Sequence, residues 1–158
     1  MTTLDHYGIT ATLPSGWEGR IFKRVPDPVP VGSEVGAANE RTNAIVHIAN
    51  FPLPADVDDY GGKAVEAMTN VHLLVVLAEF GPASAGTALF AKQGFPKLTS
   101  DDFSPATLQR GIDGQGATQH FFSIGDRPFC LYVVLGSQSR RLRTVPVIND
   151  VLAGITIT

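Results

Sequence analysis

The sequence predicts an α+β fold in which a mainly antiparallel β-sheet is flanked by helices. Several short segments alternate apolar and polar residues with the two-residue period of a strand. The two clearest, residues 117–124 and 129–136, are separated by a Gly-Asp-Arg-Pro sequence that suits a hairpin turn. Two longer segments, 55–70 and 144–155, have helical spacing. Strands joined by short turns pair antiparallel, which gives the predicted class.

Length and composition are those of one globular domain over residues 1–158. The chain is 44% apolar and only 17% charged, whereas roughly a quarter of an average domain is charged. A chain of this length buries a core without disulfides or metals. Because charged side chains are scarce, small polar and apolar groups must cover part of the surface, and a partner surface is expected.

Charge and chain-end composition argue against several classes of protein. The net charge is −3, and the basic residues are scattered apart from Arg140, Arg141 and Arg143, so we expect no nucleic-acid partner. The start, MTTLDHYGIT, has neither the basic residues nor the apolar run of a secretory signal. No apolar run approaches the roughly 18 residues of a membrane span. Cys130 is the single cysteine, so we expect a cytoplasmic protein without an internal disulfide.

The first predicted element is a hairpin formed by residues 7–13 and 17–24. Apolar and polar residues alternate over 7–13, and the strand stops at Pro14, which suits the first corner of a tight turn. Gly16 can adopt the positive φ that such turns require. Trp17, the only tryptophan, follows this turn. A large aromatic side chain is most stabilising when packed, so we interpret Trp17 as a structural residue that fixes the hairpin on the core.

Residues 25–42 are predicted to be a long loop. Three prolines at alternate positions prevent both a helix and an interior strand. A loop of this length in a compact domain is usually functional. It supplies the candidate partner-contact residues Val29, Val31, Glu34 and Val35.

Four strands are predicted besides the two hairpins. Residues 43–51, like the hairpin strand 129–136, are apolar on both faces, which indicates inner positions in the sheet. Adjacent valines favour a strand over 71–80, which ends at a Gly-Pro pair. A shorter strand is expected over 87–92, and a last one follows the C-terminal helix.

The helix over 55–70 is expected to have Asp56 or Asp58 as its N-cap and Asp59 in its first turn. The C-terminal helix opens at Thr144-Val145-Pro146 and carries an apolar stripe from 147 to 155. Ser104 followed by Pro105 is typical of the start of a short helical turn.

No catalytic or cofactor-binding set is found. The four histidines lack local metal spacing, so zinc is conceivable only if the sheet brings His47, His72 and His120 to one face. Cys130, within an apolar strand, is interpreted as a buried small hydrophobe. There is no Gly-x-Ser-x-Gly motif and no phosphate-binding loop. Ser137, Ser139 and the arginine cluster suit either an anion site or a solvated loop.

The order of elements, together with LPSGWEGR over residues 13–20, resembles the PsbP/DcrB-like group of proteins. That group includes Mog-type Ran-binding proteins, Eag-type effector chaperones and LpqN-type lipoproteins. The resemblance implies an αβ sandwich and a non-catalytic role in protein binding, complex assembly or chaperoning. It transfers no catalytic residues. The lipobox cysteine of the lipoprotein members is missing, so no envelope anchor is expected.

Three functions are compatible with these features. The first is a non-catalytic protein-interaction module, a chaperone, adaptor or structural subunit that binds a protein partner or itself through the sheet edge, the loop over 25–42 and the arginine cluster. The second is a small-molecule binder or enzyme with an apolar pocket between sheet and helix. Its expected lining is Phe51, Phe80, Phe90, Phe121 or Phe122. The third is a zinc protein.

Overall fold

The computed structural model describes residues 1–23, 43–55 and 59–158. These form two antiparallel sheets and few helices. The strands are β1 (Thr2–His6), β2 (Ile9–Leu13), β3 (Glu18–Lys23), β4 (Ala44–Ala49), β5 (Leu73–Glu79), β6 (Gly116–Ile124), β7 (Arg127–Leu135) and β8 (Ile155–Ile157), and the α-helices are α1 (Gly62–Ala67) and α2 (Arg141–Ala153). The coarse prediction of helices with antiparallel sheets is confirmed.

The larger sheet has the strand order β3-β4-β5-β7-β6, and all neighbours are antiparallel. Its inner strands β4, β5 and β7 are buried along nearly their whole length, as their apolar sequences predict. The β6–β7 hairpin is confirmed. Ile124 faces Arg127 across a two-residue turn in which Gly125 has a φ of 62°.

The smaller sheet has the order β1-β2-β8. The predicted hairpin between 7–13 and 17–24 is wrong, because β2 pairs with β1 and β8 whereas β3 pairs with β4 in the other sheet. The turn at Pro14 carries the chain from one sheet to the other. The Trp17 amide donates to the Pro14 carbonyl over 3.2 Å, and Gly16 has a φ of 84°. Strand β1 was not predicted, because most of its residues are exposed and polar and show no apolar alternation.

The larger sheet is covered on both faces. On one face, called here the α2 face, strand residues such as Val46, Val75 and Val133 pack against α2 and the smaller sheet. On the other, the α1 face, Val76 and Tyr132 pack against α1. Burial of each large aliphatic side chain contributes roughly 1.5–3 kcal/mol, so these two layers account for most of the hydrophobic stabilisation.

Both helices begin at residues other than the predicted ones. Helix α1 starts at Gly62, after Gly61 with a φ of 71°, so Asp59 lies before the helix and not in its first turn. Asp56 and Asp58, the proposed caps, lie outside the described residues. Helix α2 starts at Arg141, three residues before the predicted opening, because the 3-10 turn Gln138–Arg140 leads directly into it. Pro146 therefore lies inside the helix.

The strand predicted over 87–92 is wrong. The chain forms the 3-10 turn Ala88–Phe90 there, and the Thr87 hydroxyl donates to the Ser84 carbonyl over 2.7 Å. A local side-chain bond of this kind competes with strand pairing. The turn predicted at Ser104 is confirmed, since its hydroxyl accepts from the Ala106 amide over 3.1 Å.

Candidate interaction surface

Three arginines surround the beginning of α2. Arg140 and Arg143 are exposed and Arg141 is half-buried. Arg141 donates to the Gln138 carbonyl over 3.2 Å, and none of the three has an ion-pair partner in the ranges that the structure describes. The amino end of a helix already carries a partial positive charge. This end of α2 therefore carries positive charges that form no ion pair with the described residues.

A groove runs from this end along α2, between the helix and residues 95–100. It consists of two adjoining depressions of about 390 and 400 Å³ that share Lys97 and Asn149. Its apolar lining comes from both sides. The contributing residues are Phe95, Pro96, Leu98, Leu142, Val145, Pro146, Leu152 and Ile155.

The groove wall is fixed by Asn149. The Asn149 Oδ1 atom accepts from the Leu98 amide over 3.0 Å, and Nδ2 donates to the Leu98 carbonyl over 2.9 Å. The turn that follows Leu98 is also held by a hydrogen bond, in which the Asp102 carboxylate accepts from the Thr99 amide over 2.7 Å. The groove is therefore formed before any partner binds. Asn149 was missed from the sequence, where it is only a polar residue beside an apolar stripe.

Leu142 is the most exposed large apolar side chain of α2, with 76% of its surface accessible. It lies at the basic end of the groove, next to Arg141. Val147, on the same helix, is also exposed but lines neither depression. A large apolar side chain left in solvent at the rim of an apolar groove, as Leu142 is, suits a contact surface.

A second, smaller cavity of about 150 Å³ lies over the α1 face, lined by Tyr60, Val65, Gln109 and Tyr132 among others. The Tyr132 hydroxyl accepts from the Gln109 amide over 2.9 Å. Burial raises the pKa of Tyr132, and this hydrogen bond opposes the rise. Small-molecule sites usually enclose about 300–1,000 Å³, so this cavity is below the usual range.

Of the five phenylalanines expected around an apolar pocket, Phe80, Phe90 and Phe121 form one cluster, and Phe51 and Phe122 lie elsewhere. Phe121 and Phe122 are neighbours on β6 and lie on opposite faces of the sheet. Phe122 packs into the core under α2, whereas Phe121 contacts Phe90 edge to face at 5.5 Å. Phe80 contacts Phe90 at 5.2 Å, and Phe51 stacks on the His72 ring at 4.7 Å. The five therefore do not form a single lining.

The condition for a zinc site, that the sheet brings the three histidines to one face, is not met. Strand register places His47 in one row with Val76, Tyr132 and Gln119, so His47 and His120 lie on opposite faces. The His47 Nε2 atom lies 3.0 Å from the Asp59 carbonyl oxygen. No group of metal-ligating side chains occurs within the part of the chain that the structure describes.

His120 lies near Thr118, whose hydroxyl is 2.9 Å from its Nε2 atom. Burial lowers the pKa of His120 from 6.5, and Lys92 adds to the effect while Asp102 opposes it. The folded state thus binds the proton more weakly than the unfolded state does. Stability from this residue is present above pH 6.5 and is lost as the pH falls through the folded pKa.

We expect the His120→Asn variant to flatten this pH dependence. Urea unfolding between about pH 5 and pH 8 should show a smaller loss of stability on acidification than in the wild type. The control is His6→Asn, at an exposed position, which should lose as much stability on acidification as the wild type does. If the free energy of unfolding falls equally on acidification in wild type and His120→Asn, His120 is not a source of the acid sensitivity.

The remaining predicted site residues are placed as follows. Trp17 is half-buried and packs against the core of the α2 face, at the connection between the two sheets. Cys130 is fully buried in β7, as predicted. Ser137 and Ser139 hydrogen-bond each other over 2.9 Å. The loop over 25–42, with Val29, Val31, Glu34 and Val35, lies outside the described residues.

The chain matches no protein family, no curated protein and no solved structure in comparisons with known proteins. None of the described helices has the length and apolar content of a membrane span.

Proposed function

We propose that this protein is a non-catalytic protein-interaction module whose contact surface is the groove along α2. One observation carries the proposal. The groove joins a preformed apolar floor to an arginine cluster that has no acidic partner among the described residues, and Leu142 stands exposed at their junction. Apolar anchors beside charged rims are the usual composition of protein contacts.

The occupant we propose is an amphipathic helical segment of a partner protein with acidic residues at one end. Helix α2 has 13 residues and is roughly 20 Å long, which matches a partner helix of about four turns. Its apolar side would fill the two depressions. Its acidic end would lie near Arg140, Arg141 and Arg143, which form no ion pair with any residue that the structure describes.

We further propose that the chain has the PsbP/DcrB-like αβ sandwich and acts in the cytoplasm as a chaperone, adaptor or assembly subunit. The support is the motif over residues 13–20, together with the order of the inner strands and the late helix; the first hairpin of the resemblance is not part of it. Self-association through the same groove is an alternative form of this function.

Site-specific photo-crosslinking tests the groove. A benzoylphenylalanine replaces Leu142 in one variant and Leu89, which is 59% exposed and lies outside the groove, in the control. After irradiation in the native host, we expect a discrete adduct at position 142 and not at position 89. Reversing the charges with Arg140→Glu and Arg143→Glu should weaken the adduct at least tenfold.

The outcomes separate the alternatives. An adduct with a second copy of the chain indicates self-association, and an adduct with another protein indicates a partner. Identical adduct patterns at positions 142 and 89, or an adduct at 142 that is insensitive to charge reversal, would contradict the proposed surface.

A further inference from the structure

The outer edge of β6 is closed at both ends and open in the middle. At one end, Ala117 exchanges two backbone hydrogen bonds with Ser104, of 2.9 and 3.0 Å. At the other, the Ser123 amide donates to the Lys92 carbonyl over 2.8 Å, and its carbonyl accepts from the Gly94 amide over 2.9 Å. The segment between residues 94 and 104 does not follow the edge, because Phe95, Leu98 and Phe103 pack into the core of the α2 face.

Gln119 and Phe121 lie in the open part of this edge. In an antiparallel ladder the amide and carbonyl of one residue point to the same side, and the side alternates along the strand. Ala117 and Ser123 point outward, so Gln119 and Phe121 do too. Neither has a backbone hydrogen-bond partner on that side in the part of the chain that the structure describes. Gln119 is exposed and Phe121 is half-buried.

We propose that this opening, residues 118–122 of β6, binds a short extended segment of another polypeptide as an added strand. The two outward residues offer two amides and two carbonyls, which only an extended backbone satisfies together. Five strand positions span roughly 17 Å. The site therefore accepts about five residues, and the bound segment must end or turn away at the flanks.

The flanks also argue against a second copy of β6 as the occupant. Two antiparallel copies centred on His120 would place residue 117 of one chain opposite residue 123 of the other. Those positions are already occupied by Ser104 and by residues 92–94 of each chain. Adjacent strands lie about 4.8 Å apart, so the two sets of flanking segments would overlap.

The face of the sheet sets the side-chain preference of the added strand. Phe121 belongs to an aromatic cluster in which Phe90 contacts both Phe121 and Phe80. A residue of the bound segment beside Phe121 lies on the same face, where an apolar side chain is favoured. The residues on either side of it point to the opposite face, near His120.

The test uses blocked pentapeptides of the form Lys-Xaa-Thr-Thr-Lys, in which the second position lies opposite Phe121 when the peptide pairs antiparallel with residues 118–122 and is Phe, Leu or Asp. In amide NMR spectra of the full chain, the Phe and Leu peptides should give saturable shifts centred on residues 117–123, and the Asp peptide should bind at least tenfold more weakly. Two sets of alternate peptide amides are N-methylated in separate peptides. Methylation of the set that faces β6 should abolish binding, and methylation of the other set should spare it. No saturable shift at millimolar peptide, or equal effects of both methylation patterns, would overturn the proposal.

Gln119→Pro is the matched protein variant. Proline removes the outward amide of residue 119 and leaves the hydrogen bonds between β6 and β7 intact. We expect at least a tenfold loss of peptide affinity, whereas Gln119→Val, which keeps the amide, should bind within about twofold of wild type. Sedimentation provides a separate check. A wild-type dimer that Gln119→Pro dissociates would make a second copy the occupant and would overturn the proposal.

Discussion

The Gly136→Ala variant is expected to lose about 3 kcal/mol or more of folding stability. A Cβ atom at this position would lie 1.9 Å from the Thr69 carbonyl oxygen and 3.0 Å from the His72 carbonyl oxygen. Both are backbone atoms, so no side-chain rotation relieves the overlap. The close approach is itself structural, because the Gly136 amide donates to the His72 carbonyl over 2.8 Å. A typical domain has only about 5–15 kcal/mol to lose.

Urea unfolding measures this effect, and Gly111→Ala is the control. Gly111 is exposed, and an added Cβ atom there would have no neighbour within 4 Å. The control variant should therefore keep wild-type stability to within about 1 kcal/mol. A Gly136→Ala protein with the wild-type midpoint would show that the end of β7 does not approach the Thr69 carbonyl this closely.

Strands with apolar residues on both faces could be predicted from the sequence, because burial on both sides of a sheet leaves a local pattern. This holds for β4, β5 and β7. The sheet to which a strand belongs leaves no such pattern. Residues 9–13 alternate as a half-buried strand does, yet nothing in them distinguishes pairing with β3 from pairing with β1 and β8. The wrong first hairpin follows from that ambiguity.

The candidate sites depend on contacts between residues that are far apart in sequence. The arginines at the start of α2 could be singled out, since charge clusters are local. The groove depends on Asn149 binding the backbone of Leu98, 51 residues away. The opening on β6 depends on Ser104 and Lys92 pairing at its two ends. Neither contact has a local pattern, so neither surface could be predicted without the tertiary structure.

The Arg127→Ala variant is expected to lose about 2–4 kcal/mol of folding stability. The Arg127 guanidinium forms a bidentate pair with Glu79, through Nε to Oε2 at 2.8 Å and Nη2 to Oε1 at 3.0 Å. It also donates to the Thr158 carbonyl and the Tyr7 carbonyl, each over 3.0 Å. One side chain of the larger sheet thus holds Thr158, which follows β8, and the β1–β2 turn of the smaller sheet.

Burial makes this pair different from an ordinary surface ion pair. The side chains of Arg127 and Glu79 are 23% and 14% accessible. Those of Arg110 and Glu66, which also form an ion pair, are 59% and 51% accessible. Removing Arg127 leaves a largely buried carboxylate without its counter-charge and leaves two carbonyls without their donor. Removing Arg110 exposes a carboxylate that water already solvates, so Arg110→Ala should cost under about 1 kcal/mol.

A double variant separates the cost of the unpaired charge from the loss of the link between sheets. In Arg127→Ala combined with Glu79→Gln, the stranded charge is gone, so urea unfolding should recover part of the stability lost by Arg127→Ala alone. The stability that is not recovered belongs to the bonds with Tyr7 and Thr158. Relative to wild type, amide hydrogen exchange in the double variant should become faster in β1 and β8 and stay unchanged in β4. Equal costs for Arg127→Ala and Arg110→Ala, with unchanged exchange in β8, would show that Arg127 does not join the two sheets.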